Sequence, residues 1–321
     1  MKNFFAATGL ALGLLGLTAP AQAAWPSDQP IEVVVGFAPG GTTDVMIRQL
    51  APHIAKQLGD GASLVIVNKP GASGELAVTQ TMRARPDGYT LGIVNLPGYF
   101  FVPMMRKSAY ATKDLTLVAR IVSDPTVMVS RKDGKLADLK AVVAQLKANP
   151  RSLSAGHNGL GTNGHLAMVR LEKAADVKLN AIPYNGSAQQ RSAMGGNQLD
   201  IAFLAASEVP DPENEATPLR LLAQFTKNKV SRLASVPTTY ELGFPVEMTA
   251  ERGLAAPNGV PPQIMARLQK AIEAAMKDPE YIKAAKNDAP FLSYLEGGEW
   301  NRQIDQDRKA YEEIARTLPK D

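Results

Sequence analysis

An apolar strand that runs straight into a glycine-rich turn and then into a helix constrains this chain most. Residues 31–44 read IEVVVGFAPGGTTD, which predicts a strand over Ile31–Phe37 before the turn. Glycine reaches backbone angles that side chains exclude, and the unpaired N–H groups at a helix start carry partial positive charge that favours a carboxylate or phosphate. The segment therefore predicts a strand-turn-helix unit with an anion site at the turn.

Strand-like and helix-like patterns then alternate, which is typical of an α/β fold with helices packed on a parallel sheet. The first series predicts strands over 31–37, 63–68 and 89–94 and helices over 44–58 and 76–84. Right-handed crossovers make a doubly wound sheet the simplest topology for this order.

A domain crossing is predicted where two β-rich runs, 117–122 and 126–130, are separated by a proline-containing segment that interrupts regular pairing. The second series predicts helices over 136–148, 166–174 and 188–194 and strands over 153–155, 181–184, 200–204 and 220–225. An extended segment at 247–256 and helices over 262–276, 279–287 and 299–317 follow. We therefore expect residues 24–124 with 249–321 to form domain 1 and residues 125–248 to form domain 2, with a ligand cleft between them.

A second glycine-rich loop repeats the logic of the first. Residues 156–165 read GHNGLGTNGH and lie between a predicted strand and a predicted helix. Two helix starts that face each other across a cleft could hold both ends of a dianion. The loop also matches G-x-G-x-x-G, but the position about 20 residues further on, where a dinucleotide site has an acidic residue, offers none.

Composition excludes several classes of protein. The sequence has no cysteine, so disulfides and thiolate chemistry are absent, and its three histidines do not follow a zinc-helix pattern. A formal net charge of +4 without a basic run gives no reason to expect nucleic acid binding. No G-x-S-x-G motif is present. We expect no metal, no cofactor and no enzyme activity.

The N-terminal segment 1–23 predicts export. It has a positive charge at Lys2, a short apolar run interrupted by glycine, and Ala21-Gln22-Ala23 as a small-residue cleavage site. A membrane anchor is disfavoured because the apolar run is short and ends at Pro20. We expect a cleavable signal peptide, cleavage near Ala23 and a periplasmic protein.

Several motifs together resemble the Bug/TctC family of periplasmic solute-binding proteins. They are W-P-x-x-x-P-I at 25–31, F-x-P-G-G-x-x-D at 37–44, N-K-P-G-A-x-G at 68–74, P-D-G-Y-T-L at 86–91, P-Y-x-G at 183–186, G-G-x-x-x-D at 195–200, V-P-T-x-x-E-x-G at 236–243 and A-P-x-G-x-P at 256–261. The resemblance implies a two-lobed type II periplasmic binding fold (Venus flytrap). Each lobe would be an α/β sandwich with a mainly parallel sheet, and two crossings would join them.

The resemblance also implies a ligand site in which the two glycine-rich loops hold carboxylates, largely through backbone N–H groups and water. Carried over by position, the candidates are Phe37, Pro39, Gly40, Gly41, Thr42, Thr43, Asp44, Asn95, Asn158, Gly159, Gly161, Thr162, Asn163, Tyr184, Ala205 and Ser207. Asp44 is expected to shape its loop rather than to contact an anion, and His165 to cap or pack. Asn95 and Arg252 lie where many relatives have other residues. Pairing of Arg252 with a neighbouring glutamate is favoured over ligand contact.

The expected function is capture of a small organic anion, with a dicarboxylate favoured, by closure of the two lobes. The expected partners are the membrane components of a tripartite tricarboxylate transporter, and the protein is expected to be a monomer. Two alternatives stay open. One is an aromatic carboxylate or amide packed on Tyr184, Tyr99 or Phe37. The other is a sensor whose closure signals to a kinase.

Overall fold

A computed structural model describes residues 25–209 and 217–318 of the 321-residue chain. The predicted signal peptide, residues 1–23, lies outside the described residues. Within the described ranges, no helix combines the length and the apolar character that crossing a membrane requires. The fold is α/β, with helices packed around one mixed sheet.

The sheet contains ten strands in the described part of the chain. They are β1 (Ile31–Val35), β2 (Leu64–Asn68), β3 (Thr90–Leu96), β4 (Leu115–Arg131), β5 (Ser154–His157), β6 (Asn180–Pro183), β7 (Ile201–Ala205), β8 (Leu219–Gln224), β9 (Thr249–Pro257) and β10 (Leu292–Glu296). Their spatial order is β2-β1-β3-β9-β4-β7-β5-β6, and β8 and β10 also pair with β4.

The α-helices cover the faces of this sheet. They are α1 (Thr42–Leu58), α2 (Glu75–Arg83), α3 (Gly98–Met105), α4 (Leu139–Ala148), α5 (Asn163–Ala175), α6 (Ser187–Gly195), α7 (Pro262–Met276), α8 (Pro279–Ala284) and α9 (Gly297–Thr317). Bounds differ from the predicted ones by three residues or fewer where an element was predicted. The helix predicted over 279–287 differs in type as well as in length. The α-helix ends at Ala284, and a 3-10 helix over Lys286–Phe291 follows.

A single long strand, β4, replaces the two interrupted strands that we predicted. Its first part pairs with β9 from Leu115 to Pro125, and its second part pairs with β7 from Thr126 to Ser130. Pro125 stays in the strand because proline is compatible with extended backbone, and it pairs with Thr249, the first residue of β9, where the ladder ends. The prediction of an interruption was wrong, whereas the change of pairing partner does occur at this point.

The sheet is mixed, so the expectation of mainly parallel pairing holds only for its outer strands. Strand β1 pairs in parallel with β2 and β3, and β5 pairs in parallel with β6 and β7. The central strands β4 and β9 are antiparallel to their neighbours. The order of the elements along the chain accounts for this. Strand β9 follows the second series of elements, returns to the first series, and lies antiparallel between β3 and β4.

Two elements were missed from the sequence. Helix α3 reads GYFFVPMM and is almost wholly buried, so its residues give no amphipathic period, and Pro103 inside it is typical of a helix break. Strand β10 has only five residues and no fully buried face. The residue patterns of α3 and β10 therefore do not distinguish these two segments from loops.

The first turn of α9 packs against the backbone of β4. An added Cβ on Gly297 would overlap the carbonyl oxygen of Leu117, whereas one on Gly298 would meet nothing within 4 Å among the described residues. We expect Gly297→Ala to lower the free energy of unfolding by about 3 kcal/mol or more, because backbone cannot give way as a side chain can. Gly298→Ala is the matched control, with a gain of up to about 1 kcal/mol from helix propensity. Urea unfolding measures both, and equal stabilities would contradict this packing.

Candidate functional site

Three helices begin at one cavity of about 580 Å³. They are α1, α5 and α6, and within the described residues none of their N-cap side chains accepts a hydrogen bond from a backbone N–H of the helix. The first N–H groups of a helix have no partner within the helix. The cavity is therefore surrounded by backbone donors and by the positive ends of three helix dipoles.

Most of the predicted site residues line this cavity. The lining includes Phe37, Pro39, Gly40, Gly41, Thr42, Thr43, Asn95, Asn158, Thr162, Asn163, Ala205 and Ser207. Asn95 donates through Nδ2 to Thr43 Oγ1 at 3.0 Å, while its Oδ1 is buried and has no hydrogen-bond partner among the described residues. The strand end of β3 and the start of α1 are joined by this bond.

Four predicted residues do not line the cavity: Asp44, Gly159, Gly161 and Tyr184. Tyr184 is half-buried and packs against core residues. Tyr99, named with it as an aromatic candidate, is buried and stacks on Tyr110 with ring centroids 5.4 Å apart. Phe37 is therefore the one of the three aromatic candidates that faces the cavity.

Asp44 stabilises the first glycine-rich loop through hydrogen bonds. Its carboxylate accepts hydrogen bonds from Gly40 N at 2.9 Å, Arg48 Nε at 2.9 Å and Asn68 Nδ2 at 2.8 Å. Burial alone would raise the pKa of Asp44, but the hydrogen bonds from Arg48, Gly40 and Asn68 hold it below the ordinary value. Through these bonds Asp44 connects the first loop to α1 and β2.

Two buried histidines hold the second loop. His165 Nδ1 accepts from Gly161 N at 3.3 Å, and His157 Nδ1 lies 3.1 Å from Gly159 N and 3.2 Å from Gly159 O. The two imidazole centroids are 4.9 Å apart. Because the loop's glycines bond these rings, Asn158, Thr162 and Asn163 form its cavity face. The packing role favoured for His165 is consistent with this geometry, and the contact with the loop was missed.

The start of α6 was not among the predicted site residues. Asn185, Gly186, Ser187, Ala188 and Gln189 all line the cavity. The available signal was the strand-to-helix turn at Gly186, which has a φ of 155°. It repeats the pattern of the two loops that were recognised.

Five charged residues also line the cavity: Arg191, Glu208, Arg252, Lys286 and Asp288. Four of them were missed from the sequence, whereas Arg252 was weighed there as a ligand contact and not favoured. Glu208 Oε1 accepts from Thr42 Oγ1 at 2.9 Å, and its backbone oxygen accepts from Arg191 Nη1 at 2.7 Å. These contacts join residues far apart in the chain, so periodicity could not reveal them.

Arg252 pairs with aspartates, which corrects the expected pairing with a neighbouring glutamate. Arg252 Nη2 lies 2.9 Å from Asp124 Oδ2 and 3.0 Å from Asp288 Oδ1. Glu251 instead accepts from Arg120 Nη1 at 2.6 Å and from Trp300. The reason is strand geometry, because adjacent side chains on β9 point to opposite faces of the sheet. Burial raises the pKa of Asp124 to about 7, although Arg252 lowers it in part.

A group with metal-binding potential in the described part of the chain lies elsewhere, at His53, Asp278 and Glu280. His53 Nδ1 lies 3.0 Å from Asp278 Oδ2, and Asp278 Oδ1 accepts from Glu280 N as the N-cap of α8. Lys56 Nζ is also 3.4 Å from Asp278. These contacts explain the arrangement as a helix cap with an ion pair.

Comparison with known proteins identifies the family. Residues 46–317 match the model of the TctC family, described as "Tripartite tricarboxylate transporter family receptor". The chain belongs to this family. The TctC receptors are periplasmic solute-binding proteins, and this assignment confirms the resemblance noted from the sequence motifs.

Among relatives of this TctC receptor, protein BugT of Bordetella pertussis is 31% identical over 289 residues, covering 88% of this chain and 87% of its own. A solved structure from R. palustris with adipate has a TM-score of 0.82 at 26% identity and covers 92% of this chain and 98% of its own. MatC from Rhodopseudomonas palustris with bound malate has a TM-score of 0.79 at 25% identity and covers 89% and 98%. These neighbours confirm the α/β binding-protein fold.

The neutral form of His165 makes stability depend on pH. Burial, with a smaller contribution from His157, lowers the pKa of His165 from 6.5 to about 4. The unfolded chain then binds this proton more tightly, so the free energy of unfolding falls as the pH drops from 6.5 towards 4. At 1.36 kcal/mol per pKa unit, the loss by pH 4 is about 3 kcal/mol. In His165→Asn, whose amide oxygen replaces Nδ1 as acceptor, we expect this loss to be absent.

Urea unfolding of both proteins at pH 7 and pH 4 measures the difference. His165→Gln is the control, because it removes the same titration but places its amide near Nε2, so it should be less stable than His165→Asn at pH 7. Equal losses on acidification in the wild type and His165→Asn would contradict the lowered pKa.

Proposed function

We propose that this TctC receptor captures a small organic acid in the periplasm and delivers it to the membrane components of a tripartite tricarboxylate transporter. The convergence of three uncapped helix starts on one cavity is the observation that carries the proposal. Backbone N–H donors bind carboxylates with charge-assisted hydrogen bonds. A dicarboxylate is the favoured ligand class, since related structures contain malate and adipate.

We further propose that the chain divides into two lobes, residues 24–124 with 249–321 and residues 125–248. Strand β4 changes its pairing partners at Thr126, and β9 begins at Thr249, which supports crossings at these points. Residues from both proposed lobes line the cavity. The hydrogen bond from Thr42 to Glu208 joins the lobes across it. A hinge motion at the crossings would open and close the cavity around a ligand.

Transport explains these features without catalysis. Closure over a ligand excludes water and strengthens each N–H···O⁻ contact. Export through the segment 1–23 and a monomeric state fit a carrier that moves between ligand and transporter. The sensor alternative uses the same closure. The aromatic alternative has less support, because Tyr184 and Tyr99 lie outside the cavity lining and Phe37 alone of the three is in it.

Ligand binding should stabilise the mature protein, residues 24–321, after bound ligand is removed by unfolding and refolding. Malate or adipate at 100 times its dissociation constant should add about 2.7 kcal/mol to the free energy of unfolding. Thermal shift followed by titration calorimetry measures this. No response to any mono-, di- or tricarboxylate would contradict the proposed function.

A substitution at the first loop tests the location of the site. Gly41 lines the cavity with φ of −71°, and within the described part of the chain an added Cβ would meet only the oxygen of Ala38, at 3.3 Å. We expect Gly41→Leu to weaken carboxylate binding at least tenfold, because the side chain takes ligand space. Gly298→Leu is the control, since Gly298 lies on α9, outside the cavity lining, and no described residue comes within 4 Å of its added Cβ. Equal affinities in the two variants would place the ligand elsewhere.

A further inference from the structure

A second cavity, of about 310 Å³, lies on the other face of strand β9. Alternate residues of this strand divide between the two cavities. Thr249 and Glu251 line the second one, whereas Ala250 and Arg252 line the first, where α1, α5 and α6 begin. Successive side chains of a strand point to opposite faces of its sheet. Strand β9 therefore separates the two cavities, and we call the second one the reverse cavity.

Residues of both proposed lobes surround the reverse cavity. Phe100, Gln303 and Tyr311 belong to the first lobe, and Arg170 and Glu247 belong to the second. The guanidinium carbon of Arg170 lies 5.5 Å from the centroid of the Tyr311 ring, and the ring centroids of Phe100 and Tyr311 are 5.8 Å apart. Tyr311 on α9 thus contacts a residue of each proposed lobe. A rotation of one lobe against the other must therefore change the shape of the reverse cavity.

The proposed lobes are in contact across the first cavity in this structure. Thr42 Oγ1 donates to Glu208 Oε1 at 2.9 Å, and an added Cβ on Gly159 would lie 3.3 Å from Ser73 Oγ. The strands that cross between the lobes lie between the two cavities. A hinge rotation at these strands that separates the lobes at the first cavity therefore brings them together at the reverse cavity. The reverse cavity is accordingly widest when the first cavity is closed.

We propose that the space in the reverse cavity sets the balance between the open and closed conformations of the two lobes. Side chains that fill this space oppose opening and so favour the closed, ligand-binding conformation. Ligand affinity then rises without any new contact to the ligand, because the apparent dissociation constant is the intrinsic one divided by the fraction of molecules in the binding conformation. This inference rests on the proposed function, since it requires two lobes that close around a ligand.

A larger side chain in the reverse cavity tests the proposal. Thr249 is partly buried, and tyrosine is compatible with an extended strand and has a hydroxyl that suits a cavity with charged walls. A rise in the closed fraction from about 1% to about 10% would strengthen binding about tenfold. In titration calorimetry we expect Thr249→Tyr to lower the dissociation constants of malate and adipate at least threefold. The factor should be the same for both acids, because the change acts on the lobes.

Thr90→Tyr is the matched control. Thr90 is also a partly buried threonine in a strand, at the start of β3, and it lies outside the lining of both cavities. This variant should keep the wild-type affinities. Ser123→Tyr adds bulk to the reverse cavity from β4 and repeats the test if Thr249→Tyr does not fold. Circular dichroism establishes the folding of each variant.

Small-angle X-ray scattering reads the conformation directly. The wild type, freed of ligand by unfolding and refolding, should have a larger radius of gyration than with saturating malate or adipate. Ligand-free Thr249→Tyr should have a radius closer to that of the ligand-bound wild type. Ligand-free Thr90→Tyr should match the ligand-free wild type.

The outcomes distinguish this inference from the proposed function. If the wild type binds and contracts, but the affinity or the ligand-free radius is unchanged in both reverse-cavity variants, this inference is overturned and the proposed function stands. Unequal factors for malate and adipate would also overturn it, because the substitution would then act at the ligand. Failure of the wild type to bind any carboxylate would overturn the proposed function, and binding without contraction would overturn the proposed closure. This inference would fall with either.

Discussion

The antiparallel pairing of β4 with β9 is the constraint on which the rest of this structure depends. β4 has seventeen residues and is buried along most of them, and it pairs with β9, β10, β7 and β8 in turn. In the described ranges, the outer parallel strands of the two series join the rest of the sheet only where β3 pairs with β9 and where β7 pairs with β4. Since parallel strands need buried faces, each outer set depends on these two central strands for its position.

The cavity site follows from how its loops are held. The Asp44 carboxylate accepts a hydrogen bond from Gly40 N in the first loop, and His165 Nδ1 accepts one from Gly161 N in the second loop. Asp44 and His165 are not part of the cavity lining, so they hold the loops without occupying the cavity. The first backbone N–H groups of α1, α5 and α6 have no partner within their helices, which leaves them to bond water or a ligand.

The sequence predicted local elements and the two glycine-rich loops well, because periodicity and turn chemistry are local properties. The sequence did not predict the features that depend on contacts between distant segments. Helix α3 has no polar face to give a period, and Pro125 reads as a break although the extended backbone accommodates it. The charged wall formed by Glu208, Arg252 and Asp288 comes from three separate segments, so no spacing in the sequence indicates it. Only the alternation along β9 could have shown that Glu251 and Arg252 face apart.

Because side chains alternate along β9, one charged group lies on each face of the sheet near the proposed crossing between the lobes. Glu251 joins Arg120 and Trp300 on one face, while Arg252 joins Asp124 and Asp288 on the other. Asp124 lies on β4 and Arg252 on β9, next to the point where β4 changes partners. Arg252 also lines the cavity, so the same side chain forms part of the cavity wall and connects β9 to Asp124 of β4.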